Sequence, residues 1–140
     1  GNVLVLNDEV VAEARIAPDV IEAVAVIERG ELVRRERLYR GARPPPELRG
    51  RTVILVDDGL ATGSTMRAAV AAVQAFEPRW TIVAVPVAAP SVCRAFEPLV
   101  DRIVCGATPQ PFFAVGPWYI DFAQTTDAEV RRLLAEGDRG

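Results

Sequence analysis

Apolar residues fall into short unbroken runs, separated by stretches in which apolar and charged residues recur at helical spacing. The runs Val3–Leu6, Thr52–Val56 ("TVILV"), Trp80–Ala88 ("WTIVAVPVA") and Asp101–Gly106 ("DRIVCG") read as strands, being short and rich in β-branched residues. Between them lie helical patterns. Pro18 suits a first helical position, and Val20, Val24 and Ile27 follow at helical spacing. The pattern blurs at Gly30 and continues as "ELVRRERLYR", a highly charged, exposed helix. Met66, Ala69, Val70, Val73 and Phe76 form one apolar face after the second run, and a short helix is expected near Ser91 to Phe96. "TTDAEVRRLLAEG" closes the chain as a helix, with acids in its first turn and Arg later, matching the helix dipole. "GARPPPELRG" is a loop, since three successive prolines fit neither a helix interior nor a central strand. "TPQPFFAVGPWYIDF" reads as irregular and aromatic.

Strands alternating with helices predict an α/β fold with a largely parallel sheet flanked by helices. The strands are continuously apolar, as expected when both sheet faces are covered. At 140 residues, half of them hydrophobic, the chain is expected to be a single domain with a real core. No internal repeat and no low-complexity segment is visible.

Composition narrows the chemistry by what it lacks. There is no His and no Lys, so a Ser-His-Asp or Cys-His site, a Schiff-base lysine, a Walker A lysine and a histidine-rich zinc site are excluded. What remains are carboxylates, hydroxyls, arginines, backbone amides and a bound metal. The net charge of −3 is interspersed, with no basic block to suggest nucleic acid, and no apolar run reaches membrane-spanning length. Cys93 and Cys105 lack metal-site spacing and are expected to be reduced thiols of a cytoplasmic protein.

The stretch "VILVDDGLATGSTMRAAV", Val53 to Val70, concentrates the candidate chemistry. A buried strand ends on Asp57 and Asp58, and ligands of parallel sheets bind at the carboxyl ends of strands. The small residues Ala61, Thr62, Gly63, Ser64 and Thr65 then open a helix, whose free N–H groups and positive end suit phosphate. Gly63 lets the backbone curl around an anion, and the three hydroxyls add donors. The carboxylates, set back from the loop, can accept from vicinal sugar hydroxyls or meet magnesium. The stretch therefore describes a cradle for a ribose 5-phosphate. An N-capped helix after a core strand would explain Thr62 or Thr65, but not two acids at a strand end.

At these residues the chain resembles the type I phosphoribosyltransferases, whose signature is four apolar residues, two acids and a small-hydroxyl-glycine loop. "VILVDDGLATGST" matches nearly throughout, and Gly59 departs where an aliphatic residue is usual. The resemblance implies that fold, Rossmann-like in layout, and a magnesium-dependent reaction. The 5-phosphoribosyl group of phosphoribosyl pyrophosphate (PRPP) passes to a nitrogen of a base, with release of pyrophosphate. It implies Asp57 and Asp58 as catalytic and metal-facing acids, and residues 61–65 as the phosphate-binding loop. Ala61 matches adenine-type loops rather than hypoxanthine-type ones, which usually carry an aspartate there, without establishing the base. A second, looser likeness runs through "PFFAVGPWYIDF": Phe113, Val115, Gly116, Asp121 and Phe122 follow the order of purine-salvage members. It implies base contact by Phe113, with Trp118 a second candidate, and Asp121 on the metal side. The expected partners are small molecules, PRPP and a base, in the cytoplasm, with no nucleic acid or membrane and with a homodimer as a candidate assembly.

Two other readings compete. One is a non-catalytic regulator on the same fold that senses nucleotide or PRPP. The other is a phospho-acceptor receiver domain, suggested by "ILVDD" but lacking the lysine that receivers need. The only methionine is Met66, the chain opens at Gly1, and no pyrophosphate-holding turn is found in residues 1–50. The expectation is that the family's N-terminal strands and that turn lie upstream.

Overall fold

The computed structural model describes residue 11 and residues 14–137. The expected strand Val3–Leu6 lies outside the described residues. In chain order the elements are α1 (Pro18–Arg40), β1 (Thr52–Val56), α2 (Ser64–Gln74), β2 (Trp80–Val87), α3 (Pro90–Phe96), β3 (Arg102–Ala107), one 3₁₀ turn (Gly116–Trp118) and α4 (Asp127–Gly137). They form two compact units: one spans residues 47–122, and the other holds the described parts of 8–46 and 123–140.

The first unit is α/β. Among the described residues its sheet is parallel, in the order β1-β2-β3, with Ile54 beside Ile82 and Ile82 beside Arg102. Each parallel pair is joined through a helix, as the alternation of patterns predicts. The core lies on one face of this sheet. There Val83 and Val85 of β2 pack with Met66 and Val70 of α2, Phe96 of α3 and Leu60. Residues alternate across a strand, so Ile54, Val56 and Val104 point to the other face, where they are 58, 73 and 42 % exposed. The expectation of two covered faces is thus met on one only, among the described residues. The apolar runs correctly announced strands, but such a run does not reveal how many of its faces find a cover.

Past the acid pair the chain returns to the sheet. The N–H of Leu60 donates to Val87 and the N–H of Ala89 to the Leu60 carbonyl, both at 3.0 Å, which ties the tips of β1 and β2 together. Behind them, Cys93 of α3 and Cys105 of β3 form a disulfide, with Cα atoms 6.7 Å apart. This corrects the expectation of reduced thiols. A spacing of 12 residues says nothing by itself, but the turn from α3 into β3 folds the two positions together.

The second unit is helical. α1 runs unbroken through Gly30, with Pro18 in its first turn as expected. Glu31 binds Arg34 and Arg35 one turn on, each at 2.7 Å, and Arg34 reaches Asp127 of α4 at 2.9 Å. The Tyr39 hydroxyl donates to the same carboxylate at 2.5 Å. α4 starts with a capping box: Thr126 Oγ1 accepts the Glu129 N–H, and Glu129 Oε2 accepts the Thr126 N–H. The stripe of Val20, Val24 and Ile27 stays at least half exposed, and Ala25 is the buried residue of α1.

Candidate functional site

Asp57 and Asp58 follow the last residue of β1 directly. The Asp58 N–H donates to Asp57 Oδ1 at 3.0 Å, so the first carboxylate turns back on the chain. Burial, and then the neighbouring Asp57 charge, push the Asp58 carboxyl above its ordinary range against a hydrogen bond from the Gly59 backbone. Two acids held side by side at a strand end carry a charge imbalance that a cation would relieve.

The next residues anchor the turn. Leu60 is buried in the core. A Cβ on Gly59 would stand 2.8 Å from Val115 Cγ1 and 2.9 Å from the Val87 carbonyl oxygen. The departure from an aliphatic residue at this position therefore has a packing cause: Val115, from the loop after β3, occupies the space.

Gly63 caps α2 in the left-handed conformation, at φ 74°. A Cβ there would lie 2.7 Å from Phe96 Cε2 and 3.0 Å from Val92 Cγ1. Both the torsion and the close approach require glycine. The Arg67 guanidinium lies over the Phe96 ring, 5.0 Å from its centre, and fixes the same platform from above. The first bond of the helix runs from the Arg67 N–H to the Gly63 carbonyl at 2.9 Å, and Thr62 Oγ1 accepts the Ser64 N–H at 3.4 Å. Helix geometry then leaves the amides of Thr65 and Met66 without an intrahelical acceptor. The Thr62 and Ser64 hydroxyls stand 3.3 Å apart beside them.

These groups surround a hollow of about 180 Å³, lined by Asp57, Gly59, residues 60–66 and Val115. The structure thus brings Asp57 and all five predicted loop residues to one cavity, with Asp58 beside it. The predicted aromatic contacts lie outside that lining. Phe113 is 87 % exposed. Trp118 is stacked on Phe112, with ring centres 6.1 Å apart and planes 9° from parallel. Asp121 does not line the hollow either, and no group of three or more metal-ligating residues converges among the described residues. The acid pair alone still fits magnesium, which is commonly held by one or two carboxylates together with substrate phosphates.

Three contacts went unread in the sequence: Val115 as a wall of the hollow, Phe112 as the partner of Trp118, and Tyr119. The Tyr119 hydroxyl donates to the Asp58 carbonyl at 2.6 Å. The glycine at position 59 was the one local sign that something packs over the turn.

Comparison with known proteins gives this cavity a context. The family model described as "Phosphoribosyl transferase domain" matches residues 4–101. Two Mycobacterium tuberculosis proteins, from strains CDC 1551 / Oshkosh and ATCC 25618 / H37Rv, are each 39 % identical over 137 residues. Both bear the name "Putative phosphoribosyl transferase". The match covers 98 % of this chain but 31 % of theirs, so the chain spans about a third of the length of these relatives. The crystal structure of TT1426 from Thermus thermophilus superposes with a TM-score of 0.75 at 40 % identity, covering 95 % of this chain and 62 % of that one.

Proposed function

Because the chain belongs to the phosphoribosyl transferase domain family, we propose that it binds PRPP with magnesium and passes the phosphoribosyl group to a nitrogen of a base. The observation that carries this reading is the hollow itself, which the Asp57 carboxylate shares with the helix amides and hydroxyls of residues 61–66, with Asp58 next to it in the chain. In this reading the amides of Thr65 and Met66 and the hydroxyls of Thr62 and Ser64 hold the 5-phosphate. They replace the lysine that the chain lacks. Asp57 and Asp58 accept hydrogen bonds from the ribose hydroxyls. They also face the metal, which when bound supplies neutralising charge to the pyrophosphate.

The reaction is a substitution at the anomeric carbon. The bond from that carbon to the pyrophosphate oxygen breaks, and the acceptor nitrogen's lone pair forms the new bond. The acceptor's N–H proton leaves to solvent or to a nearby base. Positive charge develops on the sugar in between, and carboxylates fixed beside it favour that charge without any covalent intermediate. A chain without His, Lys or an activated nucleophile suits such chemistry.

Phe113, exposed on the same loop as Val115 and Tyr119, is proposed to meet an incoming ring. Trp118 could offer only the face turned away from Phe112. Asp121 is proposed as a metal-side acid on the resemblance of its loop alone. No described helix is long and apolar enough to cross a membrane. A cytoplasmic setting and a homodimer remain part of the proposal, with the Cys93–Cys105 bridge the feature least at home in a reducing compartment.

Pyrophosphate release from PRPP, measured with magnesium and a panel of bases, tests the reading. Base-dependent release is expected, abolished in the Asp57→Asn, Asp58→Asn double variant. Tight binding of PRPP or nucleotide with no release would instead identify a sensor, and no binding at all would remove both readings.

A further inference from the structure

The loop that carries Phe113 and Trp118 touches the acid turn at two points. Val115 fills the space above Gly59, and the Tyr119 hydroxyl bonds the main-chain oxygen of Asp58 itself. The second contact joins residues 61 positions apart and, at 2.6 Å, is a short bond in an otherwise irregular stretch. Tyr119 is itself held: its ring packs on Phe122 at 5.3 Å, and Phe122 lies against Gly116, where a Cβ would stand only 3.1 Å from the ring. The loop therefore folds upon itself and clamps the Asp58 peptide.

We propose that Tyr119 is a positioning residue: its hydroxyl fixes the Asp58 main chain, and so couples the aromatic loop to the carboxylate end of the sugar-phosphate cradle. This rests on the function proposed above and extends it to communication between its two halves. Among the described residues the Tyr119 side chain pairs with Asp58 and Phe122 and not with the phosphate loop, whose geometry is set by Gly63, Phe96 and Arg67. Losing the hydroxyl should therefore loosen the acid end and leave the phosphate end intact. Coupling of this kind is reciprocal: a base that orders the loop would tighten the hold on the metal-bound sugar phosphate, and the reverse.

Tyr119→Phe tests this, since it removes the hydrogen bond and keeps the ring on Phe122. Two affinities are compared by calorimetry in the parent and the variant: PRPP with magnesium, which engages the acids, and inorganic phosphate without metal, which engages the loop alone. The variant is expected to lose about five- to ten-fold in affinity for PRPP with magnesium, the effect of one hydrogen bond, with phosphate binding unchanged. Equal PRPP affinity in parent and variant would overturn the inference while leaving the function intact. A parallel fall in both affinities would also overturn it, by showing Tyr119 to be a general structural support. A parent that fails to bind PRPP with magnesium would overturn the proposed function and this inference with it.

Discussion

At the scale of single residues, the site is a set of backbone demands met by small side chains. Gly63 illustrates it: a left-handed torsion at φ 74° coincides with a Phe96 ring that leaves no room for a methyl group. Gly63→Ala is expected to cost about 1–3 kcal/mol from backbone strain and overpacking together, read by chemical denaturation, and to weaken phosphate binding. Unchanged stability would mean that α2 can start without this cap. Asp58 makes the opposite case. Its carboxyl is raised by burial and then by Asp57, so the folded protein holds that proton more tightly than the unfolded chain. Stability is therefore lost as pH rises through the shifted value, and the loss persists at neutral pH. Asp58→Asn should be as stable as the parent or slightly more so at neutral pH, with the difference vanishing as pH falls below the ordinary value of 3.8, while PRPP binding is lost. A fall in melting temperature at neutral pH would assign Asp58 to folding. That Asp57 and the loop would share one hollow was legible because they lie within one continuous stretch. Tyr119 and Val115 were not, because their partners lie far away in sequence and only the folded chain brings them together.

At the scale of elements, sequence pattern located β1 to β3 and α1 to α4, and missed the 3₁₀ turn Gly116–Trp118 and the bridge between α3 and β3. β1 coincides with the predicted run Thr52–Val56, while α1 passes through Gly30, where the pattern faltered. A glycine costs a helix only about 1 kcal/mol, and the ion pairs of Glu31 with Arg34 and Arg35 begin at the next residue. Phe76, assigned by its spacing to the apolar face of α2, falls beyond the helix end at Gln74 and is largely exposed. The link between α3 and β3 matters more for the site. Cys93 lies between Val92 and Phe96, the two α3 residues that contact the Gly63 position. Reducing the bridge releases a loop of about a dozen residues, which on chain-entropy grounds costs roughly 3 kcal/mol. Thermal melting with and without a thiol reductant should register that loss, and Cys93→Ser with Cys105→Ser should reproduce it without reductant. If melting is indifferent to reductant, packing of Phe96 and Val92 alone holds α3 in place.

At the scale of the whole molecule, the two units rest on different physics and should fail under different conditions. Residues 47–122 are organised around apolar burial, with Val83, Leu60 and Phe96 almost inaccessible. Among its described residues the helical unit buries only Ala25 fully, and its contacts between helices are charged. Hydrogen bonds from Arg34 and then Arg35 hold the Glu31 carboxyl down at about 2. The Tyr39 hydroxyl and then Arg34 hold Asp127 below its ordinary value. A depressed carboxyl contributes stability that is complete above its unfolded value and disappears as pH falls through its folded one. For Glu31 that window runs from 4.5 down to about 2. Each exposed pair is worth little alone, yet Glu31, Arg34, Tyr39 and Asp127 form one chain of contacts joining α1 to α4. Amide hydrogen exchange, compared at neutral pH and across that acid window, should show α1 and α4 losing protection first, while β1, β2 and β3 keep theirs. Asp127→Asn should loosen the two helices at neutral pH and flatten their acid response, because it removes the carboxylate on which Tyr39 and Arg34 converge. Strands that open together with the helices, or before them, would mean that the two units melt as one body and that this network does not set the order.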